Sequence, residues 1–191
     1  MELVFYDVET TGLNVWKDKL TEVAAISGNS MGFTVLLQIG EPLSDFIVKF
    51  TGITDQLLLE DGVDPRLALQ RFYEYLQAFK KPVILIAHNG DQFDKLILHS
   101  SFRRLLGENT PFLQDCDIHH FDTRLMAKFL YPNLKSYSLK NLCTHFHIEN
   151  PNHHRALNDA IVCKKLFEHM FQESPYTEFR ILYRDIYGKN F

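Results

Sequence analysis

Leu3-Val4-Phe5-Tyr6-Asp7-Val8-Glu9-Thr10-Thr11-Gly12 is the stretch from which the fold can be read. Its first six residues are mostly aromatic or branched, the composition of a buried strand. Residues two apart on a strand point to one face, so Asp7 and Glu9 lie side by side. Two neighbouring carboxylates repel each other and are costly to desolvate. A divalent cation removes that penalty and prefers hard oxygen ligands of this kind. Thr10-Thr11-Gly12 ends the strand in a segment where the backbone can turn sharply and a substrate can approach. Taken alone, an Asp-x-Glu is more often a strand end facing solvent, so its meaning depends on the rest of the chain.

Two more strands are expected at Leu20 to Ser27 and Phe33 to Ile39, with Gly28-Asn29-Ser30 as a hairpin turn. Asp64-Pro65 reads as an N-cap followed by proline at the first helical position. Leu69, Phe72, Leu76 and Phe79 follow at helical spacing until Pro82. Val83 to Ala87 is a continuous apolar strand, suited to burial on both faces. A helix from about Phe93 to Leu106 should close at Gly107. A strand near Ile118 to Phe121 leads into a helix at Thr123 to Leu130, and Pro132 stops it. Ser138 to Phe146 and Arg155 to Phe171 are the last well-patterned helices. The order βββ-α-β-α-β-α-α predicts a mixed sheet with helices on its faces, a three-layer α/β architecture in one domain spanning 1–191.

Two other segments carry chemistry. Ala87-His88-Asn89-Gly90-Asp91-Gln92-Phe93-Asp94 joins a buried strand to a helix, at the strand end where α/β folds place ligands. Asp94 falls at the helix start, where an acid is well tolerated. His154-Arg155-Ala156-Leu157-Asn158-Asp159 opens the last long helix, with His154 ahead of it on a segment begun by Asn150-Pro151-Asn152. An acid on a rigid helix can hold a metal while a histidine before it takes a proton from water. Each segment also has a plainer reading, as a helix cap or a surface histidine.

Together, Tyr6-Asp7-Val8-Glu9-Thr10-Thr11-Gly12-Leu13, His88-Asn89 with Phe93-Asp94, and His154-x-Ala-x-x-Asp159 resemble the three motifs of the DEDDh 3′→5′ exonucleases, the DnaQ-like family of the ribonuclease H-like fold. The resemblance runs from about residue 3 to 171. It implies a mixed five-stranded sheet flanked by helices. It implies two divalent cations, Mg²⁺ with Mn²⁺ as substitute, held by Asp7, Glu9, Asp94 and Asp159, with His154 as general base. The terminal nucleotide would meet Thr10, Thr11, Gly12 and Leu13, together with His88, Asn89 and Phe93. The expected activity is release of nucleoside 5′-monophosphates from single-stranded DNA ends. RNA ends are the alternative, and a non-catalytic nucleic-acid-binding module is a third reading. The three residues between Asn89 and Phe93 look more like the three-prime repair exonuclease (TREX) branch than a replicative proofreader, as does Lys135-Ser136-Tyr137-Ser138-Leu139. By the same analogy the protein is expected to be a monomer or a homodimer.

Bulk properties narrow the field. The formal net charge of −4 argues against a basic nucleic-acid coat protein, so any grip must be local or metal-borne. Arg103, Arg104, Lys135 and Lys140 are candidates for local support, or simply solvated surface. Cys116, Cys143 and Cys163 are odd in number and scattered, which suits a reducing compartment. No apolar run is long enough for a membrane span, and no basic region precedes the first strand, so a cytoplasmic protein is expected. His119, His120, Cys143, His145 and His147 match no closed zinc motif, and His153 reads as surface. In 174–191, Tyr176, Phe179, Tyr183 and Tyr187 recur at helical spacing. They form either a helix packed on the core or a platform for bases or a partner.

Overall fold

The computed structural model describes residues 1–28, 32–150 and 155–190. Its centre is a five-stranded sheet in the order β3-β2-β1-β4-β5. The strands are β1 (Glu2–Thr10), β2 (Leu20–Ser27), β3 (Phe33–Leu36), β4 (Val83–Ala87) and β5 (Ile118–Asp122). The first three form an antiparallel meander, and β1, β4 and β5 run parallel. This is the mixed sheet expected from the sequence. β3 ends at Leu36 rather than Ile39; Leu37 still donates to the Thr21 carbonyl at 2.9 Å but also forms an isolated parallel bridge to Val63.

Strand alternation sorts β1 into two cores. Val4, Tyr6 and Val8 face one layer, with Phe72 and Leu76 of α3 (Pro65–Gln77) and Ile97 and Phe102 of α4 (Asp94–Leu106). Phe5 faces the other, with Cys163, Leu166 and Phe167 of α8 (Ala156–Gln172). Asp7 and Glu9 continue the Phe5 face, so the strand's period of two carries both acids towards α8.

β1 pairs with β4 only from Glu2 to Phe5, and β4 stops at Ala87. The C-terminal half of β1 therefore runs past its parallel neighbour. That leaves a notch at the carboxyl ends of the strands, where the loop 88–93 and the start of α4 sit.

Between β3 and α3 lie two short helices, α1 (Asp45–Thr51) and α2 (Asp55–Glu60), capped by Ser44 and Thr54. Hydrophobic periodicity does not announce either. The remaining elements are α5 (Pro111–Gln114), α6 (Thr123–Leu130), α7 (Leu139–His145) and α9 (Phe179–Tyr187). In α9, Phe179, Leu182 and Tyr183 are buried in the α8-side core, so the aromatic stripe packs and is no open platform for bases. All three cysteines are free, and no helix among the described residues is long and apolar enough to cross a membrane.

Candidate active site

Carboxylate oxygens of Asp7, Glu9 and Asp159 lie within 4.8 Å of one another. Among the described residues, no other group of three or more metal-ligating side chains gathers this closely. β1 supplies the first two. Asp159 comes from the first turn of α8, where its N–H donates to the carbonyl of Arg155 at 3.0 Å. Asp94, the first residue of α4, is buried beside them and accepts a hydrogen bond from the backbone N–H of Val8. The short β1–β4 pairing leaves that N–H free for it.

The cluster is electrostatically unfavourable as it stands. Burial raises the pKa of Asp7 well above the ordinary carboxylate range, and the charges of Asp94, Glu9 and Asp159 add to the shift. Burial, then Asp159 and Glu22, pushes Glu9 up to about 8. Burial lifts Asp94 to about 7, against the stabilising backbone N–H groups. Without a counter-charge the site holds protons.

Glu22 is the acid that sequence reasoning passed over. It faces Glu9 across the antiparallel β1–β2 pair, a like-charge juxtaposition that is normally destabilising. Its carboxylate is fully committed elsewhere. It accepts from Arg155 Nη2 at 2.9 Å and Nε at 3.2 Å, and from the N–H of Ala156 at 3.0 Å. Glu22 thus caps α8 from the sheet and anchors the residue that follows His154. His154 itself, with His153, lies outside the described residues.

The acids lie along a cleft of about 640 Å³. Thr10, Thr11, Gly12, Leu13, His88, Asn89 and Phe93 all line it. Their side chains differ in availability. Thr10 Oγ1 donates to the carbonyl of Gly12 at 2.7 Å, and Thr11 Oγ1 accepts from Lys19 N at 3.0 Å. Both hydroxyls shape the turn, leaving backbone towards the cleft. A Cβ on Gly12 would lie 2.5 Å from Asp18 Oδ2, so a side chain there would push aside the carboxylate that accepts from Asn14 N. His88 is closed. Its Nε2 donates to the Tyr137 carbonyl and its Nδ1 faces Thr123 Oγ1, both at 2.9 Å, and burial lowers its pKa to about 4. Leu13 is 86% exposed, whereas Phe93 is partly buried against the core.

Two further lining residues, Phe46 and Phe50, carry no motif. They sit one turn apart on α1, stacked at 5.6 Å and 16°, and are 70% and 47% exposed. The basic residues divide. Arg103 pairs with Glu108 at 2.7 Å, and Arg104 donates to the carbonyls of Trp16 and Asp18 at 3.0 Å, so both brace the fold. Lys135 lines a groove shared with His88, Asn89 and Arg124.

The raised acids fix a pH dependence for the metal-free protein. A folded pKa above the unfolded one favours folding below the unfolded value, and that advantage disappears as pH rises through the folded value. For Glu9 the window therefore closes near pH 8. In EDTA, the melting temperature should fall between about pH 7 and pH 8.5, above the ordinary histidine range. Saturating Mg²⁺ should abolish the fall. The window avoids His88, His99 and His120, whose lowered pKa values act in the opposite sense at acid pH. A metal-free melting curve that is flat across this range would contradict the electrostatic account.

A three-layer α/β fold with clustered acids at the strand ends defines a class, and the comparisons place the chain within it. A family model described as an exonuclease (RNase_T) matches residues 4–167, and the chain belongs to this DnaQ-like exonuclease family. A PolC-type DNA polymerase III from Halalkalibacterium halodurans is 36% identical over 195 residues, covering 99% of this chain and 12% of that polymerase. The PolC-type enzyme of Bacillus subtilis is 33% identical over 191 residues, covering 98% and 12%. The chain thus spans about an eighth of the length of these relatives. E. coli exonuclease I, in a zinc-bound complex with single-stranded DNA, superposes with a TM-score of 0.79 at 19% identity, covering 91% of this chain and 41% of that one. Exonuclease I of Methylocaldum szegediense gives 0.78 at 19%, covering 98% and 43%. At such identity the structural likeness speaks for the fold alone. Since these sequence relatives are polymerases, the spacing of the second motif does not by itself assign the chain to the repair branch.

Proposed function

We propose that this chain is a metal-dependent 3′→5′ exonuclease that releases nucleoside 5′-monophosphates from single-stranded DNA. The observation that carries the reading is the convergence of Asp7, Glu9 and Asp159 within 4.8 Å in the cleft, with Asp94 buried beside them. The donor set suits divalent cations. It is all oxygen, it is raised in pKa by burial and then by mutual repulsion, and its neighbouring guanidinium is taken by Glu22. Asp7, Glu9 and Asp159 would hold one ion, and Asp7 with Asp94 a second. Mg²⁺, or Mn²⁺ in its place, would supply Lewis-acid stabilisation of the attacking and leaving oxygens.

The chain's own groups do the rest. His154, one peptide bond from the anchored Arg155, is the general base that takes the proton from the attacking water. Backbone from Thr10 to Leu13 receives the terminal nucleotide. Leu13 and the Phe46–Phe50 pair offer exposed apolar faces to bases, and aromatic faces stack on unpaired bases without regard to sequence. This favours a single-stranded end. The names of the relatives, DNA polymerases and a DNA-bound exonuclease, point to DNA.

A 5′-labelled single strand of DNA or RNA, incubated with Mg²⁺, Mn²⁺ or EDTA, tests the proposal. Stepwise shortening of the DNA, blocked by EDTA, is expected. Folded protein that degrades neither polymer with either metal would overturn it, and faster shortening of RNA would replace DNA as the substrate. The double variant Phe46→Ala/Phe50→Ala should raise KM for a single strand by roughly 10- to 100-fold, at the usual 1–3 kcal/mol per stacked base. Its kcat should stay within about a factor of three. An unchanged KM would remove the pair from substrate binding.

A further inference from the structure

The loop 88–93 has an unusual backbone. Asn89 adopts φ +66°, a left-handed conformation, and a Cβ on Gly90 would lie 2.7 Å from Ala87 Cβ. Such a loop persists only where its surroundings dictate it. Asp122, at the end of β5, dictates much of it. One carboxylate oxygen accepts from Asn89 N at 3.0 Å and Arg124 N at 2.8 Å. The other accepts from Asp91 N at 3.2 Å. Arg124 Nη1 then donates to the Asn89 side chain at 2.7 Å, fixing its orientation.

The network closes on the C-terminal helix. Tyr187 Oη accepts from Asp122 N at 2.8 Å and donates to Asp91 Oδ2 at 2.9 Å. One hydroxyl thus ties α9 to both the loop and the aspartate that shapes it. Burial and the adjacent Asp91 raise the phenol's pKa, so it remains a donor. The ring is held by stacking on Tyr183, centroids 4.7 Å apart. Tyr187 lies beyond the 4–167 span of the family match.

We infer that α9 is a working part of the site, and that Tyr187 is a positioning residue holding the 88–93 loop so that Asn89 and Asp94 face the cleft. The inference rests on the exonuclease reading. Asp94 follows the loop directly, and a displacement of about 1 Å at a reacting centre can lower rates by roughly 10²-fold.

The test is Tyr187→Phe, which keeps the ring packing and removes only the hydroxyl. We expect kcat on a single-stranded oligonucleotide to fall by roughly 10- to 100-fold, with KM moving less than threefold. In the absence of substrate, Mn²⁺ titrated against the protein and read by electron paramagnetic resonance should show one weakened site. Amide exchange should quicken at residues 89–93 and not in β1. Tyr176→Phe is the control: it deletes a hydroxyl that bonds Asp185 within α9 and touches neither the 88–93 loop nor Asp122, and should change none of these. If Tyr187→Phe fails to fold, Asp91→Ala removes the same tie from the loop side and should give the same losses. Wild-type kinetics, Mn²⁺ binding and exchange in a folded Tyr187→Phe or Asp91→Ala would overturn the latch while leaving the exonuclease reading intact. A wild-type protein without metal-dependent nuclease activity would overturn both.

Discussion

Replacing Asp7 by asparagine is expected to abolish nucleotide release and, at the same time, to raise the melting temperature of the metal-free protein. Burial raises the pKa of Asp7, and the charges of Asp94, Glu9 and Asp159 around it raise it further. As the shared ligand proposed above, its carboxylate would be worth several kcal/mol to a metal-assisted reaction. At 1.36 kcal/mol per tenfold, that predicts a loss of about 10³-fold or more. The stability effect has the opposite sign for the same reason. Asparagine keeps the shape but removes the charge at the centre of the repulsion, a gain of about 1–2 kcal/mol near pH 8. For a chain of this size that is roughly 2–8 °C. Mg²⁺ should raise the melting temperature of the wild type and leave the variant nearly unmoved. Calorimetry with and without Mg²⁺ decides it. A variant that still hydrolyses DNA, or that still gains the full Mg²⁺ stabilisation, would show that Asp7 is not a ligand.

This coupling of lost activity to gained stability separates a metal site from a structural acid. An Asp7 that merely satisfied a hydrogen bond would destabilise the protein when neutralised. The same logic covers Glu22, with the sign reversed. Glu22 carries Arg155 and the N–H of Ala156, the first residue of α8, so its removal would leave a half-exposed guanidinium without its partner and a helix N–H unsatisfied.

What the sequence revealed follows the range of the interactions involved. The meander, the parallel strands and the long helices were legible because alternation and helical spacing are local patterns. Asp7 and Glu9 stood out as candidates because strand alternation sets them side by side, and Asp94 and Asp159 because each falls in the first turn of a helix. α1 was hidden. Asp45–Thr51 is seven residues of mainly aromatic and β-branched character, which reads as strand, and only its Ser44 cap and the left-handed Gly52 mark it as helix. The stacking of Phe46 on Phe50 depends on that helix, so it was hidden too. Glu22 reads as an ordinary strand residue until the register sets it opposite Glu9. Tyr187 bonds Asp91 across 96 positions of sequence, a separation no local signal spans. Its periodicity showed a helix face, but only the packing shows that one hydroxyl on that face reaches the site.

The second large effect is expected at His154, where substitution by alanine should lower kcat by roughly 10²–10⁴ while leaving the Mg²⁺-induced rise in melting temperature intact. The reasoning is by division of labour. In the proposed mechanism the four carboxylates would supply the metal-binding charge, so the proton from the attacking water would need a separate acceptor. His88 also lines the cleft, but Tyr137 and Thr123 occupy both its ring nitrogens and burial holds its pKa near 4, which leaves it no part in proton transfer. His154 precedes Arg155, which Glu22 grips with two hydrogen bonds at the mouth of α8, five residues ahead of Asp159. We propose His154, one residue before that anchor in sequence, as the acceptor. The wild-type kcat profile should therefore show an acidic limb that depends on this imidazole. In His154→Ala that limb should vanish, and the residual rate should rise with hydroxide concentration. A variant with wild-type kcat, or with an unaltered acidic limb, would assign the proton to another group. A variant that lost Mg²⁺ stabilisation would make His154 part of the metal site instead.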